Sequence, residues 1–122
     1  MGIGMDCVEI KRISSTTVEK LIQRIAHEKD KKHAPDAKAK NYCQYWAARF
    51  AVKEAFSKAL GTGVGKSIAF KDVGISKDKN QKPYLVFSGK LNLMLKKMGI
   101  KNSHISITHT KTIAIAIVIL EN

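Results

Sequence analysis

The chain has 122 residues, 22 Lys plus Arg against 10 Asp plus Glu, a net charge of +12 and 44% apolar residues. That length suits one domain over 1–122, burying roughly two-thirds of the surface its unfolded chain exposes, and the composition excludes disorder of the chain as a whole. The charge calls for an acidic or phosphorylated partner without ranking nucleic acid, cofactor, membrane or protein. Cys7 and Cys43 form no C-x-x-C or Cys/His ligand spacing, and with no apolar leader the expected compartment is the cytoplasm.

In chain order, Met1 to Ile10 reads as a first strand, with Ile3, Met5 and Cys7 alternating with Gly4, Asp6 and Val8, so that Asp6 faces away from Met5 and Cys7. Hydroxyls from Ser14 then precede Val18, Leu21, Ile22 and Ile25 at helical spacing, with Lys20 and Arg24 as an i, i+4 pair on a basic outer face. The charged stretch 27–40, interrupted by Pro35, reads as a loop or a short broken helix.

Residues 41–60 hold no Pro or Gly, and Gly61 follows as a C-cap, which makes this the clearest helix. Tyr45, Arg49, Val52, Phe56 and Leu60 share one side, while Ala47, Ala51, Glu54 and Lys58 form a narrow stripe that reads as a low surface open to close approach. Residues 68–75 and 84–87 flank a turn and read as a hairpin. Residues 90–98 form a helix ending at Gly99, and 104–108 with 112–120 form two strands around a turn at Thr110 and Lys111. The apolar run Ile113 to Leu120 is too short for a membrane span of about 20 residues and reads as a buried strand. Helices and then strands in this order imply an α+β domain.

Several motifs carry candidate chemistry. Leu60 to Ser67 ends like a phosphate-binding P-loop at Gly65, Lys66 and Ser67. Leu60 stands where the first glycine belongs, however, and a helix precedes the segment where a P-loop needs a strand. Glu54 and Lys58 alone read as a solvated helix pair stabilising by about 0.2–0.5 kcal/mol, and Asp6 as a strand-end carboxylate facing water. His27, His33, His104 and His109 lack metal-pair spacing. Ser106, Thr108 and His109 form a polar cluster at a strand end. Aromatic residues, at 7%, are too few to support a base-stacking nucleic-acid face.

Three blocks resemble the small holo-[acyl-carrier-protein] synthases, members of the 4'-phosphopantetheinyl transferase family. They are GIGMDCVEIKRI at Gly2 to Ile13, RFAVKEAFSKALGTG at Arg49 to Gly63, and SITHTK at Ser106 to Lys111 before the final apolar strand. Two positions depart from the pattern. A turn that commonly reads G-K-P is Gln81-Lys82-Pro83, with Asn80 expected to take the left-handed position, and Thr108 stands where a serine is usual.

The resemblance implies that fold, with helices packed on a small, mostly antiparallel sheet. It implies transfer of phosphopantetheine from coenzyme A to a serine of apo acyl carrier protein, in support of fatty acid biosynthesis. Mg²⁺ would be held by Asp6 and Glu54; Glu54, through a metal-bound water, would take the serine proton; and Lys58 would meet the departing adenosine 3',5'-bisphosphate. Gly61 and Gly63 would admit the phosphates, with Arg49, Lys53, Thr108 and His109 as further cofactor contacts. Arg12, Lys20 and Arg24 would receive the acidic carrier. A homotrimer with sites between protomers, and no role for nucleic acid or membrane, completes the expectation.

Overall fold

The computed structural model describes residues 1–61 and 69–122. Its elements in chain order are β1 (Gly2–Glu9), α1 (Val18–Ile25), α2 (Glu28–His33), α3 (Tyr42–Leu60), β2 (Val73–Lys77), β3 (Pro83–Phe87), α4 (Gly89–Lys97), β4 (Asn102–His109) and β5 (Ile113–Glu121). Short 3₁₀ turns occupy Ile10–Arg12 and Phe70–Asp72. The strands form an antiparallel three-stranded sheet in the order β1-β5-β4 and a separate β2-β3 hairpin. This is the expected α+β arrangement of helices on small antiparallel sheets.

The central contact is α3 lying across the sheet. Alternation along β5 turns Ala114, Ala116, Val118 and Leu120 inward, all fully buried, and leaves Ile113, Ile115, Ile117 and Ile119 half-buried on the outer face. In β1 the same inner face carries Gly4, Asp6 and Val8. The apolar residues Ile3 and Met5 point outward, 67% and 59% exposed, and Cys7 is exposed beside them.

Glycine is required at the inward positions because helix and strand touch through their backbones. A Cβ on Gly2 would lie 1.9 Å from the Ala59 carbonyl oxygen, and one on Gly4 would lie 1.9 Å from that of Ala55. The small residues of α3 serve the same approach. Ala47 and Ala51 are fully buried in the core, so the stripe expected to be an open surface is instead where the helix meets its own sheet.

Phe56 packs on Phe87, ring centroids 5.3 Å apart, and joins α3 to the hairpin. Each such side chain fully removed from water contributes roughly 1.5–3 kcal/mol. Gly61 ends α3 in the left-handed conformation at φ +77°, as its C-cap reading anticipated. In the hairpin turn the left-handed residue is Gln81, at φ +64°, and not Asn80. Asp78 offsets the strain there, its carboxylate accepting the amides of Asn80 and Lys82 at 2.8 and 2.9 Å.

The charged stretch after α1 folds as α2 because its ends are tied down. His27 and Asp30 form a capping box in which the His27 imidazole accepts the Lys29 amide at 3.0 Å and Asp30 accepts the His27 amide at 3.0 Å. Asp30 is completely buried and binds Lys53 on α3 at 2.6 Å and the Ile75 amide on β2 at 2.9 Å.

Candidate active site

Asp6 reaches the functional surface because β1 brings its inner face against α3. Gly4 and Ala55 set the contact, placing Asp6 two residues beyond the strand glycine and Glu54 one residue before the helix alanine. The two carboxylates line one cavity of about 490 Å³ between β1, α1 and α3. Val8, Ile13, Leu21 and Phe50 give it an apolar wall, and Arg12, Lys20 and Arg24 are the basic residues of its lining. Residues separated by up to 48 positions therefore converge, and three cations expected at a docking surface meet two carboxylates expected at the chemistry.

Lys58 stands one turn beyond Glu54 but pairs across to the strand. Its ammonium donates to Asp6 Oδ1 at 3.0 Å and to the Met5 carbonyl at 3.1 Å. The helix-surface pair anticipated between Glu54 and Lys58 is thus replaced by a strand-to-helix pair. Lys58 is 55% exposed against 17% for Asp6, so this pair adds little to stability and leaves the ammonium accessible. Glu54 is held above the usual carboxylate range, first by burial and then by the negative charge of Asp6, with Lys58 and Arg24 opposing the shift. Two carboxylates facing one cavity, one resisting ionisation, make a donor set that a hard divalent cation would relieve. Mg²⁺ characteristically takes one or two carboxylates together with water and substrate phosphate oxygens.

A second cluster occupies another face of α3. Arg49 and His109 line a cavity of about 240 Å³ together with Gln44, Tyr45, Lys77 and Pro83, none of which borders the first cavity. Arg49 is only 6% exposed, and its guanidinium sits 3.8 Å above the Tyr45 ring. Its Nε and Nη2 are buried and find no partner among the described residues. Burial lowers its pKa, with the phenol of Tyr45 and the carboxylate of Asp30 opposing. Buried guanidinium donors without acceptors beside a cavity invite an anion.

Other expected residues lie elsewhere. Lys53 belongs to neither cavity. Fully buried, its ammonium donates to the Ile25 carbonyl, to Asp30 and to the Phe70 carbonyl at 3.1 Å, which commits it to the core and corrects its expected cofactor role. Thr108 lies on the opposite face of β4 from Ile107 and His109, so it does not share their cavity. No described residue lies within 4 Å of a Cβ placed on Gly61, and what it supplies locally is the left-handed cap. Gly63 and the P-loop-like segment's 62–67 lie outside the described residues. Gln44 and Lys77 carried no signal in the sequence, and Tyr45 only that of the helix side it shares with Arg49. Lys77 joins the second cavity through the hairpin register that sets it opposite Pro83, a pairing visible only once the hairpin is formed.

A small α+β domain with two cavity carboxylates under a basic wall, and a separate cavity lined by Arg49, Lys77 and His109, has the layout of a phosphoryl-group transferase. Comparison with known proteins specifies it: the model of the 4'-phosphopantetheinyl transferase superfamily matches residues 2–118, and the chain belongs to that superfamily. It is 41% identical to the holo-[acyl-carrier-protein] synthase of Bacillus subtilis, across 98% of this chain and 94% of that one. The crystal structure of the Neisseria meningitidis holo-[acyl-carrier-protein] synthase superposes with a TM-score of 0.88 at 32% identity, covering 99% and 98% of the two chains. The Helicobacter pylori holo-[acyl-carrier-protein] synthase, solved in complex with coenzyme A, gives a TM-score of 0.81 at 31% identity, covering 98% and 99%.

Proposed function

We propose that the protein transfers the 4'-phosphopantetheine group of coenzyme A to a serine of apo acyl carrier protein, giving holo carrier for fatty acid biosynthesis and adenosine 3',5'-bisphosphate. The observation that carries this reading is the shared cavity in which Asp6 and Glu54 meet beside Arg12, Lys20 and Arg24. The family relationship supports the same reading. Arg12, Lys20 and Arg24 attract the acidic carrier and raise its encounter rate. Bound by Asp6 and Glu54, Mg²⁺ would neutralise charge on the pyrophosphate.

In the transfer, the serine oxygen bonds to the β-phosphorus of coenzyme A, and the bond from that phosphorus to the bridging oxygen breaks. The serine proton passes to Glu54, whose raised affinity for protons suits a general base. The leaving bisphosphate departs with its negative charge met by Lys58. The pocket of Arg49 and His109 receives the phosphate at the nucleotide end.

Because the two cavities share no lining residue, each reads as half of a site completed by another copy. The outward row of Ile3 and Met5, beside the half-buried outer isoleucines of β5, supplies an apolar face for that assembly, and a homotrimer is our reading of it. Among the described residues no helix is long and apolar enough to cross a membrane. We place the enzyme in the cytoplasm as a single domain.

The test is intact-mass analysis of apo carrier incubated with enzyme, coenzyme A and Mg²⁺. The carrier gains one phosphopantetheine, and the gain stops when the metal is chelated. Glu54→Gln is expected to slow turnover by about 10²–10⁴-fold with an unchanged far-ultraviolet circular dichroism spectrum. Full activity in that variant would remove Glu54 from the mechanism, and no mass gain with wild type would sink the assignment.

A further inference from the structure

Gln44 on α3 touches the end of β4. Its side-chain nitrogen lies 2.8 Å from His109 Nδ1 and 3.4 Å from the carbonyl oxygen of Thr110. That carbonyl belongs to a well-tied turn. The Thr110 amide donates to the Ile113 carbonyl at 2.8 Å, and the Thr110 hydroxyl accepts the amides of Thr112 and Ile113, each at 3.1 Å. An amide NH₂ has two N–H donors and accepts nothing, whereas a backbone carbonyl only accepts. The Thr110 carbonyl therefore fixes which way the Gln44 amide points, and the nitrogen so oriented meets Nδ1 as a donor.

From this geometry we propose that Gln44 is a positioning residue that selects the Nε2–H tautomer of His109 and presents that N–H as a donor to a phosphate monoester. With Nδ1 accepting, the single proton of the neutral ring resides on Nε2. Protonating Nδ1 would set two donors against each other or turn the amide until its oxygen faced the Thr110 carbonyl. Arg49 and Lys77 are the cationic residues lining the cavity with His109, and Tyr45 is the remaining titratable group there. The pocket thus draws its charge from Arg49 and Lys77 and its direction from His109. The functional half of this inference rests on the reading that the pocket takes the nucleotide-end phosphate of coenzyme A.

The experiment has a spectroscopic arm and a kinetic arm. Multiple-bond ¹⁵N–¹H correlation on protein labelled at histidine nitrogens is expected to show His109 with Nε2 protonated and Nδ1 bare at neutral pH, and Gln44→Leu is expected to give a mixture of tautomers. In steady-state transfer, the preference in kcat/KM for coenzyme A over 3'-dephospho-coenzyme A should fall about threefold to tenfold in Gln44→Leu, mainly through KM for coenzyme A. Gln44→Asn, too short to span both partners, should do the same and guards against a folding defect peculiar to leucine. A wild-type ring protonated at Nδ1, or an unchanged tautomer and preference in both variants, overturns the proposal. His109→Ala separates the two readings. If it lowers the preference while the Gln44 variants do not, the pocket stands and Gln44 has no part in it. If it leaves the preference unchanged, the phosphate assignment fails, and the tautomer arm still decides what Gln44 does to the ring.

Discussion

Replacing Lys53 by Met removes one positive charge from a place where no water can substitute for it. In the native chain the Lys53 ammonium has three oxygen partners, and Asp30 receives Lys53 on one oxygen and the Ile75 amide on the other, with both side chains at 0% exposure. Lys53→Met would strand a buried carboxylate with two amide donors and no directly bonded cation, leaving only the Arg49 guanidinium nearby as opposite charge. Breaking such a pair from one side costs about 3–5 kcal/mol, a large part of the roughly 5–15 kcal/mol that holds a domain folded. For a chain of this size the melting temperature should drop by about 10–20 °C. The double variant Lys53→Met/Asp30→Asn keeps an acceptor for the Ile75 amide and leaves no unpaired charge, so it should recover about half of that loss or more. Urea unfolding of wild type, both single variants and the double variant, at one protomer concentration, yields the coupling energy directly. Strict additivity, or a Lys53→Met variant within about 1 kcal/mol of wild type, would refute the account of this pair as the core's electrostatic link.

Gly4→Ala should cost at least about 3 kcal/mol, because the added methyl meets helix backbone at 1.9 Å, whereas Gly61→Ala, with no clash among the described residues but φ +77°, should cost only about 1 kcal/mol; urea unfolding compares them. Met5→Lys puts a charge on the outer sheet face and, if the proposed trimer forms through that face, is expected to shift the protein toward monomer in sedimentation velocity. An unaltered trimer in both Met5→Lys and Ile117→Lys would exclude that face from the assembly.

Local pattern made some elements easy to read and concealed others. The long helix α3 declared itself through an uninterrupted run of helix formers closed by Gly61, and the strands β4 and β5 through alternation. The stretch holding the short α2 stayed open between a loop and a short broken helix because HEKDKK is a charge run with no apolar periodicity, and the helix is what forms. Its order comes from tertiary partners, with Asp30 drawn into the core by Lys53 and Ile75. Lys53 was given a cofactor contact by resemblance of the block that also carries Glu54, although one step along a helix turns a side chain by about 100° and carries it to another face. The alanine stripe looked like exposed small surface because α3 is covered across a long-range helix–sheet contact, in which Gly4 and Gly2 meet Ala55 and Ala59 from 51 and 57 positions away in the chain. Asp6 and Glu54 become a pair only through that long-range contact, which is why motif resemblance identified them and local context did not.

The close approach at Gly2 and Gly4 has a bearing on how this fold tolerates change. The spacing between Asp6 and Glu54 is gauged by strand backbone resting on helix carbonyls, with no intervening side chain acting as a shim. Core residues farther out, such as Phe87, Leu91 or Ile75, can then be exchanged for others of similar bulk without altering the gap between the carboxylates. A designer seeking to move the site onto another scaffold would have to transplant the glycines together with the acids.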